Sequence, residues 1–329
     1  MAEVLKHYAS LHMHSTHSDG VYTPKELVEV GRAEGYRALA LTDHDTVTGN
    51  REVMEECKKA GLDSIFGIEF STVSAECGHG FHMTAFNFDP EYPEMKEYLR
   101  KLSEKESDQT RILFERGVEI GYLKNITWDE VLEYNKGITW LCNEHVFRAM
   151  KAKGLITDLE YPEFFETCFG KHRSEVPEKH SFMDIKELIP LVHRAGGIAV
   201  LAHPKNQLRC VPKLVEYGLD GIEVWHSMLL IEDRREALEL AKKYDLYVSG
   251  GADHEGLLGG EYARYEHPEE TIFYVPKLSV GTSEFFFNEI RDMKKSPDRQ
   301  RVFDEMLSDE SIWITSGSYN EKKAKNEKI

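Results

Sequence analysis

The stretch Ser10-Leu11-His12-Met13-His14-Ser15-Thr16-His17-Ser18-Asp19-Gly20 decides how this chain is read. Its His-x-His closes an apolar segment, and on extended backbone residues two apart face the same side, so both imidazoles can reach one point. A helix start follows. Thr23-Pro24-Lys25-Glu26 is a capping box with proline at the first helical position; Leu27, Val28 and Val30 give an apolar face, and Gly35 is a stop. A strand, a polar loop and a helix in that order open a βα unit.

The pattern continues outward. Residues 37–42 read as a short apolar strand, 50–60 as a charged helix stopped by Gly61, and 64–70 and 81–88 as further strands. Between about 89 and 180 the alternation breaks: a long charged helix (95–116), a second capping box at Thr127-Trp128-Asp129-Glu130 and a helical pattern around 146–153 come without clear strands. From Asp184 the rhythm resumes, with strands at 198–202, 221–225 and 246–249 separated by helices at 211–217 and 231–244. About seven strands, most separated by helices, predict a parallel α/β barrel. The expected domains are a discontinuous barrel (1–89 and 181–295), a helical insertion (90–180) and a C-terminal extension (296–329). The extension is expected to be partly disordered, since its end is rich in Lys, Glu and Asn.

The strand ends carry the chemistry. Beyond His12 and His14, they read Thr42-Asp43-His44-Asp45, Gly67-Ile68-Glu69, a segment with His82, Ala202-His203-Pro204, and Gly250-Gly251-Ala252-Asp253-His254-Glu255. Six segments thus deliver a nitrogen or oxygen ligand near a C-terminal strand end, where barrel sites form. Any one of them could be a satisfied core polar group, so the set carries the reading. Imidazoles suit Zn, Fe or Mn, and added carboxylates favour bridged sites of several ions, whereas Ca or Mg alone would take oxygen ligands.

On these motifs the sequence resembles the PHP (polymerase and histidinol phosphatase) superfamily, and within it the stand-alone phosphoesterases that carry a helical insertion. The resemblance runs to about Glu289 and implies a distorted (β/α)7 barrel with an inserted helical cap and two or three divalent ions. It implies one ion on His12, His14, Glu69 and Asp253, a second on Glu69, His82 and His203, and a third on Asp19 and His44. Members with a full site end the last motif as Asp-x-His. Here the triplet is Asp253-His254-Glu255, so either Glu255 is an oxygen ligand or His254 serves; Glu255 would favour a harder ion such as Mg. Related nucleotide-processing members use an Arg-x-His-type motif in the insertion to contact substrate phosphate. The matching stretch here is Asn143-Glu144-His145, with Arg148 one turn on as either a compensating cation or an ordinary helix arginine. Ser18, Asn143, His145 and Arg148 are the expected substrate contacts, and Asp43 and Asp45 are expected to orient His44 and its neighbours. His17, His79 and His226 lie near ligands without motif support.

Composition narrows the function. A chain of 329 residues with 41% hydrophobic residues can bury a large core, and no apolar run nears the roughly 18 residues of a membrane span. No secretory signal is visible, so a soluble cytoplasmic protein is expected. Five cysteines without Cys-x-x-Cys spacing read as free thiols. The net charge of −17 argues against binding extended nucleic-acid duplex, while a small phosphate ester held by local cations remains compatible. No Gly-x-Ser-x-Gly elbow, P-loop or His-Glu-x-x-His motif occurs. The expected reaction is hydrolysis of a small phosphomonoester, a nucleotide or short oligonucleotide end, by a water activated between ions on Glu69 and His203. The rivals are a histidinol-phosphate-type phosphatase, a non-catalytic metal- or phosphate-binding regulatory module, and a hydrolase of C–N bonds.

Overall fold

Local signals set where the elements begin and end. In the computed structural model, which describes residues 7–177, 180–253, 280–309 and 312–313, helix α1 (Pro24–Ala33) is closed by the reciprocal Thr23–Glu26 box. Helix α2 (Asn50–Ala60) stops where Gly61 turns to a φ of 71°, a left-handed conformation that glycine adopts at little steric cost. His254 and Glu255 lie outside the described residues.

Nine strands fall in two sheets among the described residues. The first has the order β3 (Asp63–Ser64), β2 (Ala38–Leu39), β1 (His7–Ser10), β9 (Thr282–Ser283). The second runs β4 (Gly67–Ser74), β5 (His79–Phe86), β6 (Ile198–Leu201), β7 (Gly221–Trp225), β8 (Tyr247–Gly250). The single strand expected at 64–70 is therefore two: β3 pairs parallel with β2, and the chain then crosses to the other sheet as β4. An all-parallel arrangement is also not what forms, because β5 is antiparallel to both β4 and β6. The cause is the connection: residues 75–78 suffice for a hairpin but not for the crossover of a dozen or more residues that a parallel neighbour needs.

Main-chain bonds stitch the two sheets at the edge where the ligands lie. On one side His44 and Glu69 form a parallel bridge, and Asp45 N donates to Glu69 O at 2.9 Å. On the other, Leu11 N donates to Gly250 O at 3.0 Å and Asp253 N to His12 O at 2.9 Å. Gly251 makes that second approach possible, since a Cβ there would sit 2.3 Å from His12 N.

Helices cover the second sheet, and Phe70, Met83, Leu201 and Val248 pack in one core with Leu188, Ile189, Ala237 and Leu238. Two C-terminal helices, Glu284–Asp292 and Arg299–Ser308, join it through Phe286 and Phe303, whose rings lie 5.6 Å apart. Residues 299–308 of the C-terminal extension are thus an ordered helix. It is locked by the buried Arg299, which donates to Leu246 O at 2.6 Å and pairs with Glu289 at 3.2 Å. The inserted helices α3 (Pro93–Glu119), α4 (Trp128–Tyr134), α5 (Asn143–Ala152) and α6 (Tyr161–Cys168) bury a separate cluster including Phe114, Val131, Phe147 and Phe164. None of the five cysteines is in a disulfide, and among the described residues no helix is long and apolar enough to cross a membrane.

Gly251→Ala is expected to force the β8 end away from His12. Urea unfolding should show a loss of about 1–3 kcal/mol, the usual cost of overpacking; an unchanged midpoint would mean that the seam tolerates a methyl group.

Candidate metal centre

The site is built around one carboxylate. Glu69, fully buried on β4, is ringed by five imidazoles. Its Oε2 lies 3.1 Å from His12 Nε2, 3.3 Å from His14 Nε2 and 3.2 Å from His44 Nδ1. Its Oε1 lies 2.9 Å from His203 Nε2 and 3.2 Å from His82 Nδ1. The reach across both sheets follows from the backbone. Met13 exchanges bonds with Thr42, which places His12 and His14 on the same side, while His44 and Glu69 meet at the bridge between sheets. Glu69 and His82 depart from the expected strand-end placement: Glu69 is the third of the eight residues of β4, which runs on to Ser74, and His82 lies inside β5, which runs opposite to its neighbours.

Three groups of donor atoms form around Glu69. His12, His14, Glu69 and Asp253 converge, with Asp253 Oδ1 3.0 Å from His14 Nε2. His82 Nδ1, His203 Nε2 and Glu69 Oε1 make a triangle of 2.9, 3.2 and 3.2 Å. Asp19 lies 3.5 Å from His14 Nδ1 and 3.7 Å from His44 Nε2. Two of these residues stand on left-handed backbone, His203 at φ 25° and Asp253 at φ 51°, as do six other non-glycine residues among those described.

Other residues hold the ligands in place. Glu223, which carries no strand-end motif, sits mid-strand on β7; both its oxygens lie 3.2 Å from His12 Nδ1, and Oε2 accepts from His203 N at 2.8 Å. This leaves His12 Nε2 facing the cluster, the usual arrangement of a carboxylate behind a metal-binding histidine. The available signal was one acid inside an otherwise apolar buried strand, Gly-Ile-Glu-Val-Trp. His226 accepts from Met228 N at Nδ1, so its Nε2–H donates to Asp253 Oδ2 at 3.1 Å.

Several expected roles change. Asp43 acts on the neighbours of His44 and not on His44 itself: it accepts from Ser15 N (2.6 Å), Ser15 Oγ and Ser18 Oγ (both 2.7 Å), pinning the loop that carries Asp19. Asp45 accepts from Ser71 N at 2.8 Å on β4 rather than bracing His44, and burial pushes its carboxyl up to about 7. The expected substrate contacts also turn inward. Ser18 bonds Asp43 and Asp19, Asn143 bonds Glu144 and Tyr161, and His145 and Arg148 bond the backbone of residues 16–20. His17 bonds Thr48, and His79 is engaged by Arg209.

The donor set fits divalent cations. His12 Nε2, both nitrogens of His14, His44 Nδ1 and Glu69 Oε2 are buried without a hydrogen-bond partner although they crowd one another. The ion pairs of Asp19, Glu69, Glu223 and Asp253 among the described residues are all with histidines, so no Lys or Arg balances these buried acids. Leaving a buried carboxylate uncompensated costs several kcal/mol, which bound cations would offset. Burial lowers the His12 and His14 imidazoles, but Glu69, Glu223, Asp253 and Asp19 outweigh it and hold both well above their ordinary value. His44 goes the other way, to about 4, through burial with His14 and His82 alongside. Burial opposes the Glu69 carboxylate too, yet His12, His44 and His82 keep it well below its usual range.

Comparison with known proteins gives the family. A profile of the PHP domain matches residues 10–196. The chain is 30% identical over 251 residues to a phosphoribosyl 1,2-cyclic phosphate 1,2-diphosphodiesterase of Eggerthella lenta, covering 76% of this chain and 94% of the relative. It is 33% identical over 253 residues to a 5'-3' exoribonuclease of Haemophilus influenzae, covering 74% and 88%. A crystal structure of a Bifidobacterium adolescentis protein assigned to the metal-dependent phosphoesterases superposes with a TM-score of 0.68 at 27% identity, over 88% of this chain and 98% of that one. The chain therefore belongs to the PHP domain family. It is a hydrolase of phosphoric esters.

Two measurements follow. With the His12 and His14 imidazoles held above their ordinary value by the surrounding carboxylates, an incoming ion competes with protons for their nitrogens, so affinity for Mn should rise with pH, by about tenfold per unit for each proton released. Calorimetry in buffers of different ionisation heat should show net proton release; none at any pH would contradict this electrostatic picture. Glu223→Ala should lower metal affinity about 10- to 100-fold, and an unchanged affinity would leave Glu223 with a packing role only.

Proposed function

We propose that this chain is a metal-dependent phosphoesterase acting on a small phosphomonoester, a nucleotide or the end of a short oligonucleotide. The carrying observation is the convergence of unpartnered buried imidazole and carboxylate atoms on Glu69. His12, His14, Glu69 and Asp253 would hold one ion, Glu69, His82 and His203 a second, and Asp19 with His14 or His44 a third. Imidazole-rich sets favour Zn, Mn or Fe, and the more exposed Asp19 position suits a harder ion such as Mg. When bound, such ions lower the pKa of coordinated water towards roughly 7 and neutralise the oxygens of a phosphoryl group. The protein's part is to fix the donors: Glu223 keeps a proton on His12 Nδ1, His226 orients Asp253, and Glu69 carries negative charge between two sets of histidines.

The two sheets, joined at both seams, support the reading of a distorted (β/α)7 barrel, with residues 90–180 as a cap over its mouth. Trp140 of the cap stands 6.5 Å from the His44 ring and is buried. Beside it, a cavity of about 580 Å³ is lined by Asp45, Thr48, Leu99, Ser103, Ser107 and Thr139 among others, between the loop after His44 and α3. This is a suitable size for the organic part of a small substrate, and we assign the leaving group to it. The names of the Eggerthella lenta and Haemophilus influenzae relatives support a substrate with a ribose phosphate or an RNA chain.

Chelator-treated protein should be inactive, and Mn or Zn should restore it. With metal, nucleoside monophosphates or 5'-phosphorylated short RNA should give higher kcat/KM than histidinol phosphate, and Glu69→Gln or His203→Ala should lower kcat by about a thousandfold or more. Binding of these phosphates by metal-loaded protein with no turnover of monoester or diester would instead identify a regulatory binding module.

A further inference from the structure

One helix of the insertion grips the loop of a metal-site carboxylate. α5 aims Cys142, His145 and Arg148 at residues 16–20, which carry Asp19. Arg148 donates Nη1 to Gly20 O and Nη2 to Thr16 O (3.2 Å) and Ser18 O (3.0 Å). His145 accepts from Cys142 N at Nδ1 (3.0 Å), which fixes its proton on Nε2, and donates that proton to Thr16 O at 3.1 Å. Cys142 Sγ stands 3.8 Å from Ser18 O. The carbonyls of residues 16, 18 and 20 are therefore all turned to the insertion.

The loop is held from its other sides as well. Asp43 takes the Ser15 amide and the hydroxyls of Ser15 and Ser18. Gly20 lies so close to the His14 backbone that a Cβ would come within 2.3 Å of His14 O. His145 is fully buried and Arg148 is 9% exposed, with both Nη atoms already engaged, so neither is free to meet a phosphate. A guanidinium fork can serve three fixed carbonyls at once, which a single ammonium cannot match in geometry.

The Asp19 position depends on this grip more than the others do. Its donor atoms include the widest pair of the three groups, 3.7 Å between Asp19 and His44, and Asp19 stands in the turn over residues 16–19 whose carbonyls the insertion holds, whereas His203 and Asp253 follow within three residues of β6 and β8. We propose that Arg148 and His145 are positioning residues through which the inserted helices set the occupancy of the metal position at Asp19. The proposal rests on the metal-centre reading above and adds that one ion depends on the insertion while the Glu69 ions do not.

The test is Mn binding by calorimetry and elemental analysis on the full chain, its Arg148→Ala, Arg148→Lys and Asp19→Asn variants, and the Arg148→Ala/Asp19→Asn double variant. Circular dichroism and tryptophan fluorescence report folding. Arg148→Ala should weaken the weakest class of Mn sites at least tenfold and spare the tight class, Asp19→Asn should do the same, and the double variant should lose no more than Asp19→Asn alone. Arg148→Lys should fall between the native chain and Arg148→Ala. A folded Arg148→Ala protein with native affinity in every class overturns the proposal, as do fully additive losses. So does a native chain with only the tight ions. Should Arg148→Ala not fold, Arg148→Lys decides, and native affinity of its weakest class is then the overturning result. A native chain that binds no Mn would instead sink the metal reading of the whole site.

Discussion

Five imidazoles within 3.3 Å of one buried carboxylate is the constraint on which the rest of this structure depends. Among the described residues Glu69 has no lysine or arginine partner, and its five histidines come from four separate segments, His12 and His14 sharing one. Such a group is costly to bury as it stands and is stabilised once cations share its lone pairs. The sheets meet where they do because those segments must present their donors to the same small volume. The two seams, His44 with Glu69 and Gly250–Asp253 with Leu11–His12, are the backbone side of that requirement.

Around this centre the protein spends buried polar groups on orientation. Glu223 fixes which nitrogen of His12 faces inward and holds the His203 amide. His226 does the same for Asp253, and Asp43 for the loop before Asp19. The insertion contributes on its own terms: it has its own apolar cluster, yet reaches the site through Trp140, His145 and Arg148.

Much of this was legible in the residues. The caps at Thr23 and Thr127, the helices at 50–60 and 231–244 and the strand at 221–225 follow from periodicity and stop signals, because those depend on neighbours in the chain. His12, His14, His44, Glu69, His203 and Asp253 were legible for the same reason, since each follows an apolar run in the sequence, whereas His82 lies inside β5 and Asp19 in a polar turn. What was not legible depends on contacts far apart in sequence. The division of 64–70 into two strands is decided by which sheet each half pairs with, and the reversal of β5 by the short turn before it. Arg148 read as a substrate contact because its sequence neighbourhood says nothing of the three carbonyls across the interface. Glu223 was passed over because it sits mid-strand, where acids are rare and no motif marks them.

The most direct measurement is anomalous diffraction from crystals grown with Mn. The account predicts peaks on both sides of the Glu69 carboxylate, one within about 2.3 Å of His12, His14 and Asp253 and one equally close to His82 and His203. Crystals that bind Mn only elsewhere, or show Glu69 enclosed by histidines with no ion between them, would contradict it.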